Sequence, residues 1–309
     1  MVATAGVTTI STARAYPRAR SLGCREVDDR LRPLWDFDDL DVSQARLEAQ
    51  LQEERSDEGR AEVLTQLARV AALREDFGEG DTMLDEAAAL AGRSDVALAR
   101  IELERGRVLR SSGEVEAALP LFESAFSRAL EAGQDFIAAD AAHMAALAAP
   151  DRKGFVRWTE RGIELAEQRD GASYWLGSLL NNLGWEYYEA GELEPALDAF
   201  ERALLARERD PQNAAAIEIA RYAVGKTLRA LGRADEAIPL LEQAAAWSEA
   251  EDAPDGWFHE ELAEAYAASA RPDDARAHAQ LAIPLLETAD PSFASDAERS
   301  TRLRALAGG

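Results

Sequence analysis

Small side chains return at a nearly fixed spacing along most of this chain, and that spacing limits what the chain can fold into. The stretch Leu183 to Ala203 carries Leu183, Gly184, Tyr187, Gly191, Ala196, Phe200 and Ala203. The same frame recurs as Val224, Gly225, Leu228, Gly232, Ala237, Leu241 and Ala244, and again as Leu262, Ala263, Tyr266, Ala270, Ala275, Ala279 and Ala282. Upstream, Gly106, Leu109, Gly113, Ala118, Phe122 and Ala125 fit closely. Two copies are degenerate. One runs through Leu67, Ala68, Ala71, Gly80, Leu84 and Ala87; the other keeps Ala142, Ala146 and Gly162, with bulky Phe155 where a small residue is expected. The first small position falls at 68, 106, 143, 184, 225 and 263. Repeats of this length that cannot bury their apolar stripe alone must stack on their neighbours. Where two helix axes approach to about 8–10 Å, a large side chain would force them apart, so Gly or Ala is needed at each crossing.

The frame L-G-x2-Y-x3-G-x4-A-x3-F-x2-A resembles the tetratricopeptide repeat (TPR) family over about three quarters of the chain, from Ala61 to Glu287. The resemblance implies an all-α solenoid, a right-handed superhelix of six antiparallel helix pairs over residues 61–290. The period exceeds the family's usual spacing of about 34 residues. The surplus is roughly two helical turns, enough to lengthen each helix of a pair by one turn. Gly113, Gly191 and Gly232 are placed to end first helices in left-handed caps, and Pro195 and Pro272 fall in first turns of second helices. Residues 34–60 read as an N-terminal cover, with Leu47 and Leu51 on one helix face. Residues 291–309 read as a C-terminal covering helix, entered through Asp290-Pro291 and charged on its exposed side by Glu298, Arg299, Arg302 and Arg304. Residues 1–33 read as a disordered or mis-started arm.

Charge removes several functions. The net charge of −24 repels nucleic acid and anionic membranes as partners. No uncharged run reaches the 18 residues of a spanning helix, the longest being Gly171 to Trp185. Cys24 is the only cysteine, which excludes an intrachain disulfide and fits a reducing, cytoplasmic setting. The segment "ARYAVGKT", Ala220 to Thr227, matches a relaxed phosphate-loop pattern, but the preceding "NAAAIEIA" has helical composition and supplies no strand. His143, His259 and His278 stand far apart, and "HEELAE" lacks the second histidine of a zinc protease. The expectation is a chain with no catalytic residues, no metal and no cofactor.

In the family the first helices of successive pairs line a concave groove that binds peptides or partner proteins. Counting along those helices places Arg69, Arg100, Arg107, Arg110, Asn181, Asn182, Trp185, Tyr188, Tyr222, Lys226, Arg229 and Trp257 inward. "LNNLG", Leu180 to Gly184, resembles the family's asparagine-bearing variants, in which the amide grips a peptide backbone through both donor and acceptor. Asn182 then either holds a ligand or bonds a neighbouring helix. The arginines either suit an acidic or carboxylate-bearing peptide or pair with local acids such as Glu104 and Glu186. The family's carboxylate clamp is only partly echoed, because Asp140, Met144, Ile219 and Ala223 stand at its polar or basic places. "LWDFDDLD", Leu34 to Asp41, has two readings as well. Its aromatics staple the first helix, or they dock in an arginine-lined groove. These features point to a protein- or peptide-binding scaffold or adaptor, with a regulator sensing a small molecule or signalling peptide as the alternative. A nucleotide-using enzyme rests only on Gly225-Lys226-Thr227.

Overall fold

A computed structural model describes residues 29–211 and 213–308; Cys24 and the first 28 residues of the expected arm lie outside them. The described residues form fourteen α-helices and two 3₁₀ turns, with no strand. Six antiparallel pairs follow one another: α2 (Asp57–Leu73) with α3 (Phe77–Leu90), α4 (Asp95–Ser111) with α5 (Val115–Glu131), and α6 (Asp135–Leu147) with α7 (Arg152–Gln168). Then come α8 (Leu176–Glu189) with α9 (Leu193–Arg207), α10 (Ala214–Ala230) with α11 (Ala234–Ala250), and α12 (Gly256–Ala268) with α13 (Pro272–Ala289). The covers are α1 (Leu40–Glu53) and α14 (Ala297–Ala307). The chain is an all-α solenoid.

Local chemistry starts the helices. Ser56, Asp76, Ser94, Asp151, Asn213 and Asp296 each accept a backbone N–H of the first turn through the side chain. First helices end where Gly113, Gly191 and Gly232 take φ of 97°, 75° and 78°. In each case the next residue's N–H closes the cap, as Glu114 N does on the Leu109 carbonyl at 2.8 Å. Glu75 and Ala270 hold the same left-handed place after α2 and α12, at φ of 64° and 55°, without glycine's freedom.

The crossings are tight. A methyl group added at Gly106 or Gly184 would stand 2.5 Å from Phe122 or Phe200, and one at Gly225 would stand 2.7 Å from Leu241. Each ring or branch fills the space that the missing side chain leaves, so the large and small residues of the frame form pairs across each helix couple. In the degenerate third pair, Gly162 faces Leu179 and the Cβ of Ala142. Ala142 therefore takes the crossing, and His143, counted as the crossing position from spacing, is displaced from it. The extra residues also go elsewhere than expected. Pairs 2 and 5 do have helices of 17 residues, but α6 and α8 have only 13 and 14. Around them the surplus forms the 3₁₀ turn Asp170–Trp175 and the connection 208–213, because α6 and α8 are bounded early by Gln134, Ala148 and Trp175.

Both ends are covered. Phe293 and Leu303 close the last pair with no exposed surface. Arg302 keeps an exposed side chain as the sequence suggested, whereas Arg299 is largely covered. They turn to α12, where Arg299 bonds Glu260 at 2.5 Å and Asp290 at 2.7 Å, and Arg302 bonds Glu264 at 2.5 Å. At the other end, residues 29–33 belong to the packed body, with Leu31 buried against Leu47, Ala61 and Leu64.

Two stability outcomes follow. Gly225→Leu overpacks a crossing and costs about 1–3 kcal/mol, read as a lower melting temperature. Ala270→Gly relieves a left-handed residue and gains about 0.5–1 kcal/mol, read in chemical denaturation.

Candidate functional site: the inner groove

The first helices bring the sequence-predicted residues into two groups. In the N-terminal half, Arg100 is 4% exposed and pairs with Asp29 at 3.0 Å and Glu62 at 3.2 Å. Arg107 bonds Glu104 at 2.5 Å and also Asp140. Burial opposes its charge, but those two carboxylates outweigh burial and raise its pKa. Arg69 lies 4.0 Å from Glu104, with its guanidinium over the Trp35 and Phe37 rings at 5.2 and 5.4 Å. Arg110 makes no ion pair or side-chain hydrogen bond among the described residues, and burial together with Arg107 lowers its pKa.

The C-terminal half runs from α8 to α12. Trp185 packs edge-on against Phe200 and Tyr188, and Tyr222 packs against Phe258. Lys226 and Arg229 share one buried carboxylate, Glu261, with Arg229 Nε at 2.6 Å. Burial alone would raise the Glu261 pKa, yet the two cations hold it below the usual carboxylate range. Asn182 Nδ2 donates to His143 Nδ1 at 3.3 Å, so the amide touches a neighbouring helix through one of its groups. The Oδ1 of Asn181 is buried and has no hydrogen-bond partner among the described residues. Trp257 packs on the terminal cluster with Ile283 and Leu306, and its neighbour Phe258 meets Tyr222.

Local pairing of the arginines is thus extensive, with Glu104 as foreseen, whereas Glu186 pairs with Arg152 outside the groove. Two cations share the one buried carboxylate of Glu261, with Glu264 also near Arg229, and Arg110 has no ion pair among the described residues.

Models of the tetratricopeptide repeat match residues 176–209 and 219–251, which are the α8–α9 and α10–α11 pairs. The chain carries tetratricopeptide repeats. Among solved structures, apo RapI aligns over 87% of this chain and 75% of its own, with 14% identity and a TM-score of 0.68. A signal transduction ATPase with numerous domains from Pyrococcus horikoshii, bearing a tetratricopeptide repeat sensor, aligns over 81% of this chain and 40% of its own, with 12% identity and a TM-score of 0.65. A Rap protein complexed with competence and sporulation factor aligns over 87% of this chain and 77% of its own, with 13% identity and a TM-score of 0.53. At such identities the likeness is one of fold. No curated protein matches the sequence.

Within this TPR array the phosphate-loop pattern lies inside α10, where Gly225 abuts Leu241, Lys226 pairs with Glu261, and the Thr227 hydroxyl donates to the Ala223 carbonyl at 2.8 Å. Its N–H groups belong to a helix interior and cannot cradle a phosphate. Among the described residues no three His, Cys, Asp or Glu side chains converge on a metal position, and no helix is long and apolar enough to cross a membrane. The sequence missed His143, Trp175, Tyr174 and Gln66 as groove residues. Only a register shift of one residue in the third pair separates His143 from a crossing position, and spacing alone does not show it.

The His143 pKa falls from 6.5 to about 4 chiefly through burial, which Asp140 opposes and Arg107, Arg110 and Arg69 reinforce. Its neutral form is the folded one, so an unfolded chain binds the proton more readily between those values. Its stabilisation is complete above about pH 6.5 and is lost as pH falls toward 4. Burial lowers the His259 and His278 pKa values too, which adds to the same trend. The melting temperature therefore declines between pH 7 and 4.5, and His143→Gln flattens part of that decline.

Proposed function

We propose that this TPR chain is a cytoplasmic, non-enzymatic scaffold or adaptor that holds a protein or peptide in the C-terminal half of its groove. One observation supports this: adjacent helices set Tyr188 and Tyr222, with Trp185 packed on Tyr188, near the Lys226–Glu261–Arg229 cluster. Half-buried aromatics supply contact area at little entropic cost. The paired amides bond an extended backbone whatever its sequence, and the buried Asn181 Oδ1 is an acceptor still lacking its donor. Lys226 and Arg229, which share one carboxylate, favour an acidic or carboxylate-bearing segment over a basic one. The overall negative charge disfavours nucleic acid and anionic membrane surfaces as alternatives.

A second reading, a regulator that senses a signalling peptide or small molecule, is favoured by the fold shared with the Rap protein complexed with competence and sporulation factor. The two readings part on the chemistry of what is retained. Pull-down with the full chain, followed by a peptide array, is expected to return a discrete acidic motif that binds at least tenfold more weakly to Trp185→Ala and to Asn182→Ala. A co-purifying metabolite, or unchanged binding in both variants, contradicts the adaptor assignment.

A further inference from the structure

The N-terminal half of the groove already contains a peptide, and it is the chain's own. Residues 29–38 leave α1 and cross the inner faces of α2 and α4 toward the 3₁₀ turn before α8. Asp29 meets Arg100 at 3.0 Å, Trp35 Nε1 donates to Gln66 Oε1 at 3.0 Å, and Arg32 donates to the Tyr174 hydroxyl at 2.9 Å. Trp35 and Phe37 stack with ring centroids 4.8 Å apart under the Arg69 guanidinium. A cavity of about 70 Å³ lies between this strap and the groove wall. Both readings of "LWDFDDLD" hold in part: Trp35 and Phe37 lie under Arg69, while Asp39 caps α1 and Trp35 shares a core cluster with Leu47.

The strap is held in the manner of a bound ligand. Its own backbone bonds close within it, from Arg32 N to Asp29 O, Leu34 N to Leu31 O and Trp35 N to Arg32 O. The groove helices grip it through side chains, apart from Arg30 reaching the Gly59 carbonyl. A second segment bringing one carboxylate and two aromatics can replace the contacts of Asp29, Trp35 and Phe37, leaving to the strap the burial of Leu31 and the Arg30 pairs with Glu54 and Glu62. The exit is also prepared, since Phe37 and Tyr174 are 47% and 44% exposed on either side of Arg32. An incoming aromatic side chain has a landing place there before the strap leaves.

We propose that residues 29–38 are an internal competitor, and that the N-terminal half of the groove binds a partner segment of the same chemistry: a carboxylate followed by a pair of aromatics. This deepens the adaptor assignment by naming a partner class and a gate, and it rests on the groove being the binding surface. Tethering makes the strap's effective concentration high, so wild-type protein resists exchange until a partner supplies more contacts or the latch at Arg32 is lost.

The test measures fluorescence anisotropy of a labelled synthetic peptide, DRLRPLWDFDD, titrated with the full chain. Trp35→Ala/Phe37→Ala is expected to bind it at least tenfold more tightly than wild type. Arg32→Ala, which breaks only the exposed latch, is expected to bind severalfold more tightly. A control peptide with both aromatics replaced by alanine is expected to bind none of them. Should the double variant lose its helical circular dichroism, the Arg32→Ala result stands by itself. Equal affinity for wild type and Arg32→Ala overturns the proposal, as does a wild-type dimer held together by exchanged straps. Because the probe is the strap's own sequence, its result is independent of whether a natural partner binds near Asn182.

Discussion

The structure depends on helices approaching where one of them has no side chain. At Gly106, Gly184 and Gly225 the partner helix sends in Phe122, Phe200 or Leu241, so close that even a methyl group has no room. The fit couples sequence spacing to geometry, because each small residue locks one large one and thereby fixes the crossing within a pair. Repeating the couple stacks the pairs, and stacking leaves the inner sides of the first helices as a continuous wall. The groove follows from the crossings.

What lines that wall is set by electrostatics more than by shape. Buried carboxylates at Glu104, Asp140 and Glu261 hold the inward cations in fixed positions, a requirement once such charges leave water. Lys226 and Arg229 share the single carboxylate of Glu261, and Arg110 has no ion pair among the described residues. The two halves of the groove then differ in occupancy: the N-terminal half is filled by Asp29, Trp35 and their neighbours, while the C-terminal half presents its amides and aromatics without such a cover.

Much of this was legible in the sequence. The pairs, the caps at Gly113, Gly191 and Gly232, and the crossings at Gly184 and Gly225 follow from steric rules that act locally and repeat. The site was less legible. Position along a helix told that Arg107 and Lys226 face inward, but their partners Asp140 and Glu261 sit on the next first helix, 33 and 35 residues away. His143 was misplaced because the degenerate third repeat lacks the full frame, so that Ala142, one residue earlier, takes the crossing. The strap was hardest to foresee, since Arg32 and Tyr174 lie 142 residues apart and no periodicity links them.

The central claim is that recurring small residues make stacked pairs that curve around a groove. Small-angle X-ray scattering in dilute solution tests it most directly. The account predicts a pair-distance distribution with a short-distance peak from the width of two helix layers and an extended tail from the length of the superhelix. A single symmetric peak, with a radius of gyration near the roughly 19 Å of a compact chain this long, would contradict it.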